Sequence, residues 1–334
     1  MEASNEKRWK DRQRECLEMC LETRSGVLGI QEYWFKPAFR EIYESKDGMG
    51  SRYAFYGLKR PSYKEDGLAF FIDRHQLEVV KFHELIYGYH GQRCALILHA
   101  RLKKRSRGTS ENRLKNLQNH NESEASSSAS ASGRDILIAN THLTFPHGRS
   151  DNDLRLKQAQ RLLNAMEKLA VSGWDRKEGN VSGGMDMFVL GDFNGGGQSD
   201  AVYRLFKKYG YKSSFAAANG TEAPVTHLTH RGTKVSVDFI WFRPMSCNSG
   251  SRTIDVKAAY ALPRGISTED WPRSFTISDH RPVVAEFSIS DLFTSTAQTI
   301  AGHAKPTEPI SSSTNEKKND FTRLSRVSLK RNRC

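Results

Sequence analysis

The stretch that decides the fold reads MFVLGDFNGGG and occupies residues 187–197. Its apolar first half is bounded by glycine and polar residues, which predicts a short buried strand. Asp192 and Asn194 lie two residues apart, so they would project from the same face if the strand continued through them. Two hypotheses fit these residues equally well. They form an Asx turn that leaves the strand, or a site where a carboxylate and an amide hold a metal and a phosphoryl oxygen.

The excess positive charge of the chain is concentrated in two polar segments. The 334 residues carry a net charge of +13, and the mean hydropathy is −0.64. Residues 101–134 hold eight Lys and Arg against three Asp and Glu, and residues 291–334 hold eight against four. Such segments favour a polyanionic partner, although a purely solvated tail fits them as well. The length accommodates one large domain or two small ones, with a sizeable core.

Cysteine usage and hydropathy indicate the cell compartment. The five cysteines form no C-x-x-C pair. That pattern is typical of reduced thiols in an intracellular protein rather than of a disulfide framework or a zinc site. The first residues are charged and include no signal-peptide core, and no apolar run is long enough to cross a membrane. We therefore expect a cytoplasmic or nuclear protein without a transmembrane segment.

Hydrophobic periodicity predicts a mixed α/β domain. Strands outnumber helices and polar residues gather at strand ends, which predicts two packed sheets flanked by helices. Residues 103–133 are expected to form a disordered insertion and residues 291–334 a basic disordered tail. Helices are predicted over 5–23, 37–46, a segment capped by Asp151 or Asn152, and 199–209. Strands are predicted over 26–32, 53–58, 68–72, 77–82, 93–102, 134–143, 187–190, 235–242 and 283–289, with Asp238 in the middle of its strand.

Five separated places put a carboxylate, amide or imidazole at the edge of an apolar strand. Each one alone is more often a turn former or a hydrogen-bonded structural residue. Together, the oxygen ligands suit a hard divalent cation such as magnesium, and histidines with aspartate partners suit proton handling at a phosphate. The set therefore predicts phosphoester hydrolysis. The places are Glu32, Asn140 with His142, Asp192 with Asn194, Asp238, and Asp279 with His280.

Short motifs around these residues resemble, in the same order, those of the endonuclease/exonuclease/phosphatase superfamily. The resemblance covers roughly residues 9–290. Residues 65–69, 141–143 and 154–158 are similar to the deadenylase and nocturnin branch. Residues 141–147 and 237–241 resemble plant members that carry an inserted EF-hand, an insertion that this sequence lacks. The motifs are IQE at 30–32, NTHL at 140–143, GDFN at 191–194, VDFI at 237–240 and SDHRP at 278–282.

The resemblance implies a fold and a cofactor. The expected fold is a four-layered α/β sandwich of two mostly antiparallel sheets flanked by helices, with the active site between the sheets at their strand ends. Magnesium is the expected metal, with manganese as the alternative. Glu32 would be its principal ligand, and Asp279 would lie beside the metal or the attacking water.

The resemblance also implies a role for each remaining site residue. Asp192 would position or deprotonate the attacking water, and Asn194 would hold the phosphoryl group. His280 would stabilise the transition-state charge, oriented by Asp238. His142 would contact the phosphate from the other sheet, oriented by Asp66. That completes the predicted catalytic set of His142, Asp192, Asn194, Asp238, His280 and Asp66.

One feature of the superfamily is absent from the sequence. Its members begin with a strand that ends on an asparagine beside the metal, whereas this sequence begins at the helix that follows. Loss of a central strand would expose a sheet edge and remove a neighbour of the metal. The expectation is a truncated gene model or an impaired product.

Three hypotheses for function follow. The first is a magnesium-dependent phosphodiesterase, within residues 1–290, that acts on nucleic acid or nucleotides as an RNA 3′-exonuclease does. The second keeps the chemistry but takes a phospholipid such as sphingomyelin or an inositol phosphate. The third is a catalytically impaired binding protein that uses its basic segments. The metal site is common to the first two, so the motifs do not separate them.

Overall fold

The computed structural model describes residues 6–88, 92–103, 134–172, 184–195, 197–245, 252–271, 273–291 and 322–331. The helices within these ranges are α1 Glu6–Glu22, α2 Pro37–Glu44, α3 Arg149–Ser172, α4 Ala201–Lys208 and α5 Ser214–Asn219. The first strands are β1 Val27–Trp34, β2 Tyr53–Lys59, β3 Asp66–Asp73, β4 Leu77–Ile86, β5 Cys94–Leu102, β6 Asp135–His142 and β7 Asp186–Asp192. The later strands are β8 Lys212–Ser213, β9 His227–Leu228, β10 Lys234–Val235, β11 Asp238–Arg243, β12 Arg252–Ala261, β13 Val283–Asp291 and β14 Thr322–Arg331.

Two six-stranded sheets form the body of the protein. Sheet I has the strand order β12-β13-β14-β1-β3-β2, and sheet II has the order β4-β5-β6-β7-β11-β8. Pairing is antiparallel except between β1 and β14 and between β6 and β7. The parallel pair β6–β7 matters for function, because it brings the carboxyl ends of two predicted site strands to the same edge.

The two sheets pack face to face over an apolar core. Phe70 of sheet I and Phe188 of sheet II belong to this core. Phe188 also meets Phe287 edge to face, with ring centroids 5.1 Å apart. Full burial of such a side chain stabilises the fold by roughly 1.5–3 kcal/mol. The inner faces of β3, β5, β7 and β13 therefore hold the sheets together.

Helices cover the outer face of each sheet. Leu162 of α3 and Phe206 of α4 pack against Trp241 of sheet II. Leu17 of α1 and Phe39 of α2 pack against the outer face of sheet I. The order helix, sheet, sheet, helix confirms the predicted four-layered α/β sandwich.

The central position of sheet I is filled by β14, which the sequence did not predict. Strand β14 pairs in parallel with β1 and antiparallel with β13, so Val327 lies opposite both Val27 and Ala285. Central strands are usually apolar throughout, whereas β14 reads TRLSRVSLKR. Its pairing satisfies the backbone groups of β1 and β13, so the exposed sheet edge that was expected does not form. The prediction of a disordered tail therefore missed this strand. Outside the described residues lie 292–321 and 332–334 of the predicted tail and 104–133 of the predicted insertion.

Hydrogen bonds account for two predicted element bounds that differ from the structure. Asp238 is the first residue of β11 and not the middle of a strand, because Thr226 Oγ1 accepts hydrogen bonds from the backbone N–H groups of Val237 and Asp238. Helix α3 begins at Arg149, ahead of the predicted cap. Asp151 lies in its first turn and accepts from the backbone N–H of His147.

Candidate active site

The site is built on the close approach of β6 and β7. Gly191 lies opposite Thr141 in this parallel pair and has a φ of 157°. A Cβ at Gly191 would lie 2.0 Å from the Thr141 carbonyl oxygen, so no side chain fits there. This glycine places Asp192 directly beside His142 at the end of the two strands.

Asp192 forms the Asx turn of the first hypothesis, and the hypothesis of a metal and phosphoryl site stays a prediction. Its Oδ1 accepts a 2.8 Å hydrogen bond from the backbone N–H of Asn194, which is an Asx turn. Its Oδ2 faces two histidines, at 3.4 Å from His142 Nε2 and 4.0 Å from His280 Nε2. The strand does not continue through Asn194, because β7 ends at Asp192 and Asn194 turns to a φ of 50°, so the condition for a shared strand face is not met.

Asp238 and His280 form a buried pair next to Asp192. Asp238 Oδ2 lies 2.8 Å from His280 Nδ1, and both side chains are almost fully buried. A carboxylate at this distance fixes a hydrogen on Nδ1 and leaves Nε2 to face Asp192. This is the orientation of His280 by Asp238 that the resemblance implies.

The partner of His142 differs from the prediction. Arg93 Nη1 lies 2.9 Å from His142 Nδ1. Because a guanidinium only donates, Nδ1 accepts and the ring hydrogen lies on Nε2, facing Asp192. Asp66, the predicted partner, instead pairs with Arg60 at 3.0 Å. Arg93 was not predicted, and its only signal in the sequence is a charge placed directly before the apolar strand β5.

Asn140 connects the two sheets beside the site. Its Oδ1 accepts from Gln31 Nε2 at 2.7 Å. Its Nδ2 donates to the carbonyl oxygens of Ile30 at 3.1 Å and Ala69 at 3.0 Å. These bonds use the side chain of Asn140 for structure, and they fix the end of β1 against the end of β6.

Glu32 lies on sheet I at a break in β1. The register of β1 against β3 shifts between Gln31 and Tyr33, and Glu32 has a φ of 55°. Such a conformation is unfavourable for a residue other than glycine, and such residues cluster at functional sites. The bulge turns Glu32 into a cleft of about 360 Å³ that it lines together with Asp66.

Carboxylate and imidazole atoms converge at two places. Within the described ranges, the groups whose ligand atoms lie within 4.8 Å of one another are Asp192–Asp238–His280 and His227–Asp279–His280. Glu32 belongs to neither group, so its pairing with Asp279 around a metal stays a prediction.

Comparisons with known proteins identify the fold. No family model matches the chain. An uncharacterized calcium-binding protein of Arabidopsis thaliana is 29% identical over 260 residues, which cover 76% of this chain and 48% of that protein. The chain therefore spans about half the length of the curated relative that it matches.

Solved structures match most of the chain. The human Nocturnin catalytic domain with bound sulfate has a TM-score of 0.55 at 19% identity, covering 83% of this chain and 86% of its own. ANGEL2, a 2′,3′-cyclic phosphatase, has a TM-score of 0.58 at 16% identity, covering 83% and 85%. An endonuclease/exonuclease/phosphatase family protein from Bacteroides thetaiotaomicron has a TM-score of 0.54 at 16% identity, covering 86% and 92%. The chain has the endonuclease/exonuclease/phosphatase fold.

Within this endonuclease/exonuclease/phosphatase fold, the side-chain amide of Asn194 is only partly hydrogen-bonded. Its Nδ2 donates to the Leu143 carbonyl oxygen at 2.8 Å. Its Oδ1 is buried and has no hydrogen-bond partner among the described residues. The oxygen suits a cation or a donating group such as water, and the second Nδ2 hydrogen can still donate, so the contact with a phosphoryl oxygen stays a prediction.

His227 is a site residue that the sequence did not reveal. Its ring stacks on His280 with centroids 3.9 Å apart and an interplanar angle of 14°. Its Nε2 lies 3.8 Å from Asp279 Oδ2. The surrounding sequence THLTH carries no strand-end pattern that would have found it.

The loop after His142 is supported by helix α3. Gln158 accepts from the Thr144 backbone N–H at 3.0 Å and donates to Thr144 Oγ1 at 2.8 Å. Arg155 donates to Asp200 at 2.6 Å. Arg155 is buried, and this bond joins α3 to the start of α4.

Tyr87 stabilises the strand that carries His142. Its hydroxyl forms a 2.8 Å hydrogen bond with Thr141 Oγ1. Burial raises the pKa of Tyr87, so it stays a neutral phenol at physiological pH.

None of the helices in the described part of the chain combines the length and apolar character that a membrane span requires.

Proposed function

We propose that this chain is a metal-dependent phosphoesterase that hydrolyses phosphodiester bonds of nucleic acid or nucleotides, as an RNA 3′-exonuclease does. The observation that supports it best is the convergence of Asp192 with His142 and His280 at the ends of neighbouring strands. One carboxylate oxygen faces two imidazole nitrogens, which is the arrangement that proton transfer and stabilisation of an anionic transition state require.

Asp192 is the group that handles the attacking water. Its Oδ1 is held by the Asn194 backbone N–H, so Oδ2 is the oxygen left to accept a proton from water. The Asx turn fixes the carboxylate before the reaction begins, so no reorientation is needed in the transition state.

The two histidines provide hydrogen-bond donors for the phosphoryl oxygens. Asp238 holds the hydrogen on His280 Nδ1, which leaves Nε2 as the donor when the ring is protonated. Arg93 holds His142 in the tautomer with its hydrogen on Nε2. Both donors are oriented by a charged neighbour, which strengthens hydrogen bonds to developing negative charge.

Oxygen donors in the site suit magnesium, or manganese. Glu32 and Asp279 are the proposed ligands, and the buried, unpartnered Oδ1 of Asn194 supplies a further oxygen beside Asp192. Hard divalent cations prefer such oxygen ligands. When bound, the metal neutralises charge on the phosphoryl group.

Substrate assays test the proposal. Purified protein is incubated with single-stranded RNA, sphingomyelin and inositol phosphates, each with magnesium, manganese or EDTA. We expect hydrolysis of RNA that EDTA abolishes. Hydrolysis of lipid or inositol phosphate alone would overturn the nucleic-acid assignment, and no hydrolysis at all would favour a binding protein.

Paired variants separate the site from a contaminating activity. Asp192→Asn removes the base and should abolish turnover. Asp255→Asn alters a half-exposed carboxylate on β12 that pairs with Lys257, and it should leave turnover unchanged. Equal activity in wild type and Asp192→Asn would show that the hydrolysis comes from another protein or another site.

A further inference from the structure

The cleft beside Glu32 has an aromatic and charged lining. It is formed in part by the turn between β2 and β3, and it is lined by Glu32, Trp34, Arg60, Tyr63, Lys64, Glu65 and Asp66. The cleft has a volume of about 360 Å³ and opens to solvent. A substrate bound at Glu32 would therefore meet these side chains as it extends away from the site.

Most charges in this cleft are already paired. Arg60 pairs with Asp66 at 3.0 Å, and Lys36 pairs with Glu65 at 3.0 Å. Lys64 has no carboxylate partner among the described residues, and its Nζ lies 5.0 Å from the centre of the Tyr63 ring. It is thus a cation that remains available to an anionic ligand.

The aromatic side chain of Tyr63 is exposed to solvent. It is 77% exposed, more than the other large apolar side chains that are exposed in the described ranges. Exposed aromatic rings beside a basic side chain stack on nucleobases, whereas binding of an acyl chain needs a continuous apolar surface. The cleft mixes carboxylates, lysine and aromatic rings, which favours a base over a lipid chain.

We propose that Tyr63 and Lys64 form a nucleotide subsite beside Glu32, where the Tyr63 ring stacks on a base and the Lys64 ammonium contacts the neighbouring phosphate. This rests on the proposed function and narrows it, because it makes the substrate a single-stranded nucleic acid or a nucleotide. Recognition through stacking accepts any base, since every base has a π face.

Binding measurements test the subsite independently of catalysis. Anisotropy of a fluorescent single-stranded oligonucleotide is compared with that of an equally long oligomer of abasic units. Tyr63→Ala should raise Kd for the oligonucleotide about tenfold, as expected for loss of one stacked base, and leave Kd for the abasic oligomer unchanged. Lys64→Ala should raise Kd for both oligomers and weaken the salt dependence.

Two control variants decide what Tyr63 contributes. Tyr63→Phe keeps the ring and should bind as wild type does. Phe82→Ala removes another exposed ring, 53% exposed on β4, and should also bind as wild type does. The subsite would be overturned if wild type and Tyr63→Ala had the same Kd for the oligonucleotide. It would also be overturned if Tyr63→Ala raised Kd equally for the oligonucleotide and the abasic oligomer. If the protein hydrolyses neither RNA nor DNA but Tyr63→Ala still raises Kd for the oligonucleotide, the proposed function is overturned and the subsite is not.

Discussion

Glu32 on sheet I and Asp192 on sheet II follow similar apolar runs, but their surroundings differ. Asp192 is fully buried, and each of its oxygens faces a defined partner. Glu32 is half-buried, is held in place by a bulge, and faces an open cleft. In the proposed mechanism the sheet II side is therefore preorganised for proton transfer, whereas the sheet I side is accessible to an extended ligand. Substitutions on sheet II should mainly lower kcat, and those in the cleft of sheet I should mainly raise KM.

After Asp192→Asn, which should abolish turnover, the largest effect is expected for Asp238→Asn. The substitution removes the carboxylate that orients His280 and should lower kcat about 10²- to 10⁴-fold with little change in KM. Asp66→Asn, which alters the ion pair with Arg60 in the cleft, should act mainly on KM. Steady-state kinetics on RNA measure both variants. If Asp238→Asn and Asp66→Asn lowered kcat equally, the two sheets would not have these separate effects on kcat and KM.

Deletion of residues 322–334 should have the next largest effect. The deletion removes β14 and leaves one edge of β1 and one edge of β13 unpaired in the middle of sheet I, while β1 still pairs with β3 and β13 with β12. We expect a loss of several kcal/mol, which corresponds to a fall in Tm of roughly 10 °C or more. Thermal unfolding followed by circular dichroism measures the change.

A peptide of residues 322–334 provides the control for this deletion. Added in excess, it should restore Tm, and a peptide of the same composition in scrambled order should not. An unchanged Tm in the deletion variant would show that β14 contributes little to the stability of sheet I.

The smallest effect is expected at His227. His227→Phe keeps a ring stacked on His280, whereas His227→Gln removes the ring. We expect His227→Phe to retain kcat and His227→Gln to lower it about three- to tenfold, since an aromatic pair contributes roughly 0.5–1.5 kcal/mol. A shift in the pH profile of kcat for His227→Gln alone would support positioning of His280. The same loss in both variants would indicate that the imidazole nitrogen facing Asp279 matters more than the stack.

Local patterns predicted most of the fold because apolar periodicity reports directly on burial. The strands that carry Glu32, His142 and Asp192 were all predicted, and each lies in a sheet. Strand β14 was missed because its four basic residues do not resemble a buried strand, and only its pairing with β1 and β13 gives it that position. Asp238 was misplaced within its strand because a distant hydroxyl, that of Thr226, sets where β11 begins.

The sequence by itself determined which side chains gather at the strand ends, because period-two apolar runs fix where strands stop. It also predicted the pairing of Asp238 with His280. Only the tertiary structure decided that Arg93, and not Asp66, orients His142, and that Asn140 joins the sheets. Those contacts connect strands that are far apart in the chain, so no local pattern encodes them. The same holds for residues 187–197: their sequence allowed a turn or a site, and the structure shows the turn at Asp192 together with two histidines that face its other carboxylate oxygen.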